Sequence, residues 1–331
     1  MQRNDVNMSL KMAFAGFRHS HIFGLYNSAI GNKDVEITGC FEEFIEERIK
    51  VEKAYDINFS YNSYDEILND NNVDAVAIGD YYGKRGQMVI KALEHGKHVI
   101  CDKPICTDLK ELEIIRDLAK HNNLKVCCMF DLRYMPQIKK VKEIIKNGEL
   151  GVIHNVSFTG QHCLDYGNRP WWYFEAGKHG GTINDIAIHG IDLIRFITGK
   201  NVTKVNCAKT WNAFADKEPD FKDCGQFMVV MDNTSVMADV SYAAPKFEGI
   251  MPTYWDFYFW GTKGMLNFKL KDNLIHIYKN TEDIIECENT TPGYLEDFIR
   301  EIKGIKTIMN TEEILDSQEQ VLIIQQAACC F

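Results

Sequence analysis

The sequence predicts an α/β chain in two parts: a doubly wound parallel sheet, then an α+β domain on a large, mostly antiparallel open sheet. Three observations predict it. At 331 residues the chain is too long for one ordinary core. Over residues 1–132 short apolar runs alternate with helical patterns. Over residues 133–331 one helical pattern is followed by long strands joined by tight turns.

In the first part the predicted strands are Met12–Ala15, Val35–Phe41, Val73–Gly79, His98–Asp102 and Leu124–Phe130. They are short apolar runs rich in Val, Ile and Phe, as in a parallel sheet buried on both faces. Of the helical patterns between them, "TDLKELEIIRDLAKHNN" is the clearest. Thr107 is its expected N-cap, and Leu109, Leu112, Ile115 and Leu118 form its apolar stripe. In the second part a helix is expected from about Thr182 to Thr198. "FMVVM–DNT–SVMADVSY" then reads as a hairpin, and "YWDFYFW–GTKG–MLNFKL–KDN–LIHIYK" continues it as a meander. Helical segments near Gly293–Ile305 and Thr311–Cys330 close the chain, and the last one is a candidate to pack back on the first domain. The domain boundary is expected near Arg133, where the alternation stops.

Composition narrows the function. Hydrophobic residues make up 45% and charged residues 25%, as in a folded globular protein. A net charge of −10 argues against nucleic acid as a partner, since phosphate backbones need a basic face. No apolar run is long enough to span a bilayer, and "MQRNDVNMSLK" lacks the apolar centre of a secretory signal, so a cytoplasmic protein is expected. Eleven cysteines, an odd number in no disulfide or zinc spacing, are expected to be reduced and structural.

The stretch "KMAFAGFRHSHIFGLY" runs from strand through turn to helix. The dinucleotide fingerprint G-x-G-x-x-G falls in register on Gly16, Arg18 and His21, so only the first glycine is kept. Arg18 offers a positive charge toward phosphate, and the helix start offers free amides and a favourable dipole. Glu42, ending the second strand, is placed to bond ribose hydroxyls. A carboxylate there repels a 2′-phosphate, which favours NAD over NADP. "HSH" at His19–His21 has no nearby carboxylate or cysteine in the sequence, so no metal is expected.

Further on, "VDAVAIGDYYGKRGQMVIKALEHGKHVICDKPICTD", "MFDLRYMP", "GGTINDIAIHGIDLIRFITG" and "FWGTKGMLNF" occur in one order. With these segments the chain resembles the Gfo/Idh/MocA oxidoreductases, named for glucose–fructose oxidoreductase and inositol dehydrogenase. The resemblance covers almost the whole chain. It implies a Rossmann-type first domain and a second domain for substrate binding and oligomerisation. Asp102 replaces the family's glutamate in E-K-P, "DYYGKRG" at Asp80–Gly86 replaces its T-P-N-H-x-H loop, and Asp131 replaces its usual Asn. Cofactor contacts are expected at Gly16, Phe17, Arg18, His19, Glu42, Asp80, Tyr81, Asp102 and Lys103, and substrate contacts at Arg133, Trp172, Asp185 and His189.

The expected chemistry is hydride transfer between a nicotinamide and a secondary alcohol or ketone of a sugar, cyclitol or related polyol. The coenzyme takes the hydride, so protein groups must take the hydroxyl proton. Asp185 and His189, four apart, share a face if the helix is regular. His189 is the candidate base, with Asp185 to bond a neighbouring hydroxyl or steer the imidazole. Lys103, at the carboxyl end of a parallel strand, is the candidate to polarise the reacting oxygen. Asp192 is given a structural hydrogen-bonding role. In "NRPWWYFEAGKHGG" Trp172 is the residue expected to stack on a sugar ring, with Arg169, Lys178 or His179 as hydroxyl partners. Two rivals stand beside this reading: an NAD-dependent glycosidase of the same fold with no net redox change, and a nucleotide-responsive regulator without catalysis. A homodimer or homotetramer through the open sheet is expected.

Overall fold

The computed structural model describes residues 9–251, 253–288 and 293–330. The chain divides into two compact units, residues 1–129 with 293–316 and residues 130–292 with 317–331.

In the first unit the parallel sheet comprises β1 (Leu10–Ala15), β2 (Val35–Phe41), β3 (Ala75–Ile78), β4 (His98–Cys101) and β5 (Val126–Cys128), in the order β2-β1-β3-β4-β5. All four neighbouring pairs run parallel. The helices are α1 (His21–Ile30), α2 (Ile45–Tyr55), α3 (Tyr64–Asn69), α4 (Tyr82–Glu94) and α5 (Leu109–His121). Strand order reverses at β1 and β3, so the crevice beyond their carboxyl ends is where this topology seats ligands. Cys101 and Cys128 are paired in register, and burial pushes the Cys101 thiol up to about 12. It behaves as a small apolar side chain.

Two local expectations change here. Helix α5 is capped by Asp108, not Thr107: its carboxylate accepts from Lys110 N at 2.8 Å and Glu111 N at 3.2 Å. "DYYGKRG" is mostly the first turn of α4 rather than a loop. Gly86 is buried inside this helix, where α4 faces Glu111 of α5. Residues 293–316, carrying α8 (Tyr294–Ile302), group with this unit and not with the second half of the chain. They close the sheet's β5 edge: Val126 N donates to Thr311 Oγ1 at 3.0 Å, and Cys127 Sγ lies 3.6 Å from Tyr294 O. The break falls inside α9 (Thr311–Gln326), so one cut near Arg133 does not describe the division.

The second unit begins with a short 3-10 turn, Asp131–Tyr134, and α6 (Pro136–Lys146). Its sheet contains β6 (Ile153–Gln161), β7 (Val202–Trp211), β8 (Cys224–Met231), β9 (Thr234–Ser241), β10 (Asp256–Gly261), β11 (Gly264–Lys269), β12 (Leu274–Tyr278), β13 (Glu282–Glu286) and the short β14 (Cys329–Cys330). The order is β13-β12-β11-β10-β6-β9-β8-β7-β14. The expected hairpins form, but the meander is interrupted: β6 lies between β9 and β10, parallel to β9 and antiparallel to β10. One face packs an aromatic core, with Phe257 5.5 Å from Phe158 and 5.0 Å from Phe268 between ring centroids. The opposite face exposes Met237 (59%), Trp260 (45%) and Ile284 (56%), as strand alternation requires.

The helix expected from Thr182 is two pieces. Ile183–Ala187 is a π turn, and α7 (Ile188–Thr198) follows and ends on Gly199 at φ +71°. Among the described residues no helix is long and apolar enough to cross a membrane.

Candidate functional site

In the first unit the predicted cofactor residues lie at the carboxyl edge of the parallel sheet. Gly16 turns the chain out of β1 at φ +80°, and a Cβ there would sit 2.8 Å from Asp80 N. Only glycine combines that conformation with that approach. Arg18 N then donates to Gly79 O at 3.0 Å, which ties the turn to the end of β3. Glu42, just past β2, accepts from Phe17 N at 2.8 Å, Phe44 N at 2.9 Å, and Arg18 Nε and Nη2 at 3.0 and 2.8 Å. The Arg18 guanidinium lies 3.7 Å over the Phe44 ring. Phe17 itself packs into rings, 5.3 Å from Phe59 and 5.7 Å from Phe23. Asp80 is buried, accepts from Tyr81 N at 2.8 Å, and pairs with Lys84 at 3.0 Å.

Asp102, at the end of β4, is fully buried. His19 Nδ1 lies 2.7 Å from Oδ2 and His21 Nδ1 3.0 Å from Oδ1, while Arg85 Nη2 reaches Oδ2 at 3.1 Å. Arg85 also holds Asp80 O at 2.7 Å, Lys103 O at 2.5 Å and Pro104 O at 3.2 Å, so one buried guanidinium fastens the ends of β3 and β4. Burial alone would raise the Asp102 carboxyl, but His19, Arg85 and His21 outweigh it and hold it well below the ordinary range. Of the three, Arg85 keeps its charge at every accessible pH. Burial pushes His19 down to about 4, with Asp102 offsetting only part, so its imidazole is neutral near pH 7.

This geometry overturns the expectation that His19 and His21 lack a carboxylate. It also shows where the residue in place of the third glycine goes: the His21 ring turns to Asp102. The ligand atoms of His19, His21 and Asp102 lie within 4.8 Å of one another, a set that could hold a metal ion. Arg85 on the same carboxylate and Lys103 next in the chain oppose a dication there. The Lys103–Pro104 bond is cis, and Lys103 is buried with Nζ 5.9 Å from the Tyr82 ring centre.

In the second unit Asp185 and His189 are both buried, on either side of the junction between π turn and α7. The π turn changes the angular step, so their four-residue spacing does not measure a regular α-helical face. An imidazole beside Asp185 is that of His179, whose Nε2 lies 3.6 Å from Asp185 Oδ2 and 2.9 Å from Tyr242 Oη. His189 sits by Trp255 and Phe130, with centroids at 5.8 and 6.3 Å. Trp172 is 1% exposed against Tyr173, whereas Trp171 is 43% exposed with Lys178 Nζ 3.9 Å from a ring centre. Arg133 is clasped by Asp192, Nε to Oδ2 at 2.8 Å and Nη2 to Oδ1 at 2.5 Å, and Ser317 Oγ donates to Asp192 Oδ1 at 2.7 Å. The structural role read for Asp192 is visible, and Arg133 is its partner.

Two family models match this chain. "Oxidoreductase family, NAD-binding Rossmann fold" covers residues 15–130, and "GFO/IDH/MocA C-terminal domain" covers residues 138–267. The chain belongs to the GFO/IDH/MocA oxidoreductase family. Among curated relatives, a myo-inositol 2-dehydrogenase of Thermotoga maritima is 30% identical over 161 residues, 49% of this chain and 45% of that protein. A scyllo-inositol 2-dehydrogenase (NAD(+)) of Bacillus subtilis is 32% identical over 143 residues, 43% of this chain and 40% of that one. The matches thus span less than half of each of these relatives. A solved structure from Erwinia carotovora atroseptica has a TM-score of 0.88 at 22% identity, covering 98% of this chain and 100% of that one, a likeness of fold.

The first unit of this family member fits a dinucleotide on its own evidence. The glycine turn leaves no room for a Cβ, the ten-residue α1 starts beside it, and Arg18 Nη1 is buried without a hydrogen-bond partner among the described residues. Gly16, Arg18, Glu42, Asp80 and Lys103 are the residues that would hold it. Sequence reasoning missed Arg85 and Tyr242, and named His179 only as a hydroxyl partner. Arg85 had a signal, because Tyr82, Arg85, Val89 and Leu93 repeat on one buried face of α4.

Proposed function

We propose that the chain is an NAD(P)-dependent dehydrogenase acting on a secondary alcohol of a sugar, cyclitol or related polyol. The observation that carries this is the gathering of the Gly16 turn, the Arg18–Glu42 pair and the Asp102–Lys103 step at one carboxyl edge of a doubly wound sheet. The inositol dehydrogenases among its relatives support the substrate class. When bound, the dinucleotide supplies the hydride acceptor. His189 takes the hydroxyl proton, in a setting where Trp255 and Phe130 limit water. Lys103 holds and polarises the reacting oxygen, and its peptide is fixed by Arg85. Asp185, with His179 beside it, bonds a neighbouring hydroxyl. The exposed Met237, Trp260 and Ile284 face is the surface through which copies of the chain associate.

The test is a spectrophotometric screen of polyols and keto-sugars with NAD and NADP in parallel. Reduced coenzyme is expected to accumulate with at least one polyol, and His189→Ala and Lys103→Met to lower kcat by about a hundredfold or more. A His189→Ala protein with full kcat removes that residue's role. Substrate turnover without free reduced coenzyme points to the glycosidase instead.

A further inference from the structure

In the second unit the buried imidazole of His179 stands beside Asp185. Gly180 and Gly181, at φ +77° and +99°, turn the chain between His179 and the π turn. Asp185 N then donates to Gly181 O at 3.0 Å, so both side chains are carried on one short stretch of backbone. The ring is walled by Tyr173 and Phe221, each with its centroid at 5.0 Å. The loop carrying Phe221 is itself pinned, since the Asp223 carboxylate accepts from the amides of Ala213, Phe214 and Ala215 at 2.8, 2.8 and 2.7 Å.

One nitrogen of this ring faces two oxygens: Nε2 lies 2.9 Å from Tyr242 Oη and 3.6 Å from Asp185 Oδ2. Were the phenol the donor, a bare nitrogen lone pair would face the carboxylate. With the proton on Nε2, the N–H donates to Tyr242 Oη and turns its positive end toward Asp185 as well. The second arrangement is favoured, because a carboxylate at this distance is weakly screened in a buried setting. At 3.6 Å the contact is electrostatic and not a full hydrogen bond, so it restrains the carboxylate without capping it.

We infer that His179 is a positioning residue: with its proton on Nε2 it holds the Asp185 carboxylate in the orientation that bonds a substrate hydroxyl. This rests on the dehydrogenase reading above and deepens it, since that reading gives Asp185 its task and His179 supplies what orients it.

A double-mutant cycle tests the inference. kcat/KM is measured on the fastest polyol of a panel containing myo-inositol and scyllo-inositol, with whichever of NAD+ and NADP+ the wild type turns over faster. The proteins are the wild-type full chain, His179→Phe, His179→Gln, Asp185→Asn and the His179→Phe/Asp185→Asn double variant, slow ones being followed as single turnovers. Thermal melting checks the fold, and calorimetry with the dinucleotide checks the coenzyme site. His179→Phe keeps a ring against Tyr173 and Phe221 but has no N–H. It is expected to lower kcat/KM by about tenfold to a hundredfold while dinucleotide affinity changes by less than about threefold. His179→Gln offers an amide N–H instead and is expected to recover most of that loss. In the Asp185→Asn background, the change to Phe is expected to matter by less than about threefold. His179→Leu takes the place of His179→Phe if that protein does not fold. An unchanged kcat/KM, equal losses in both backgrounds, or His179→Gln no better than His179→Phe overturns the inference while the dehydrogenase reading stands. A wild type that oxidises no polyol of the panel removes that reading and the inference together.

Discussion

Two of the buried arginine–carboxylate pairs among the described residues, Arg133–Asp192 and Arg18–Glu42, differ in how much of their bonding capacity the fold uses. Arg133 grips both oxygens of Asp192, and Ser317 adds a third donor at 2.7 Å. Arg18 places two donors on a single oxygen of Glu42 and leaves Nη1 unused. The first pair is complete within its own unit and reads as scaffold; the second is incomplete and reads as part of a site. The difference teaches that burial of a charge does not by itself mark function. What marks it is bonding capacity that the fold leaves over.

The comparison breaks most readily at its closed member. Asp192→Asn leaves the Arg133 charge buried without its counter-ion, and is expected to cost about 3–5 kcal/mol in chemical denaturation. A loss under about 1 kcal/mol would mean that the pair is not the scaffold described. Gly16→Ala comes next. A side chain at φ +80° costs about 1–2 kcal/mol, and contact with the Asp80 backbone adds to it, so both melting temperature and dinucleotide affinity are expected to fall. Arg18→Met in the absence of dinucleotide is expected to cost less than Asp192→Asn, about 1–3 kcal/mol, because Glu42 keeps the Phe17 and Phe44 amides. If the two costs are equal, the open and closed distinction is lost.

The next expected effect is a pH dependence, spread over more than two pH units. His98 Nδ1 accepts from Lys125 N at 2.9 Å, which requires the neutral ring, and burial pushes this histidine down from 6.5 to about 4. Below pH 6.5 the unfolded chain gains a proton that the folded chain refuses until about pH 4. Stability contributed by His98 is therefore full above 6.5 and lost as the pH falls through that window. His98→Gln, which can still accept the amide, is expected to flatten the decline measured between those limits. An unchanged slope would place the acid sensitivity elsewhere, His19 at about 4 being the next candidate.

Much of the fold was legible because local pattern and tertiary role agree. Val35–Phe41 is rich in β-branched and apolar residues, with Val35, Ile37, Cys40 and Phe41, and is β2. The turns at Asp232 and Thr262 sit between the strands they were expected to join. What was not legible depends on partners far apart in the chain. No periodicity reports that β6 inserts between β9 and β10. The His19 and His21 rings meet Asp102 across 83 and 81 residues, so a pair that looked unsupported had its carboxylate all along. At the site, Lys103 and Asp102 were legible from their neighbours in sequence. Arg85 was not named, because its segment was read for its departure from the family's loop and not for the buried face that Tyr82, Arg85, Val89 and Leu93 share. The π turn before α7 likewise left no trace in the apolar spacing that predicted one continuous helix.

The most direct measurement is to follow a polyol labelled with deuterium at the reacting carbon, together with stoichiometric NADP+ and NAD+, by mass spectrometry. The label is expected on the reduced nicotinamide ring, with free reduced coenzyme accumulating, and Lys103→Met and His189→Ala are each expected to slow the transfer by about a hundredfold or more. Coenzyme that binds but never acquires the label, with every polyol tried, would contradict this expectation.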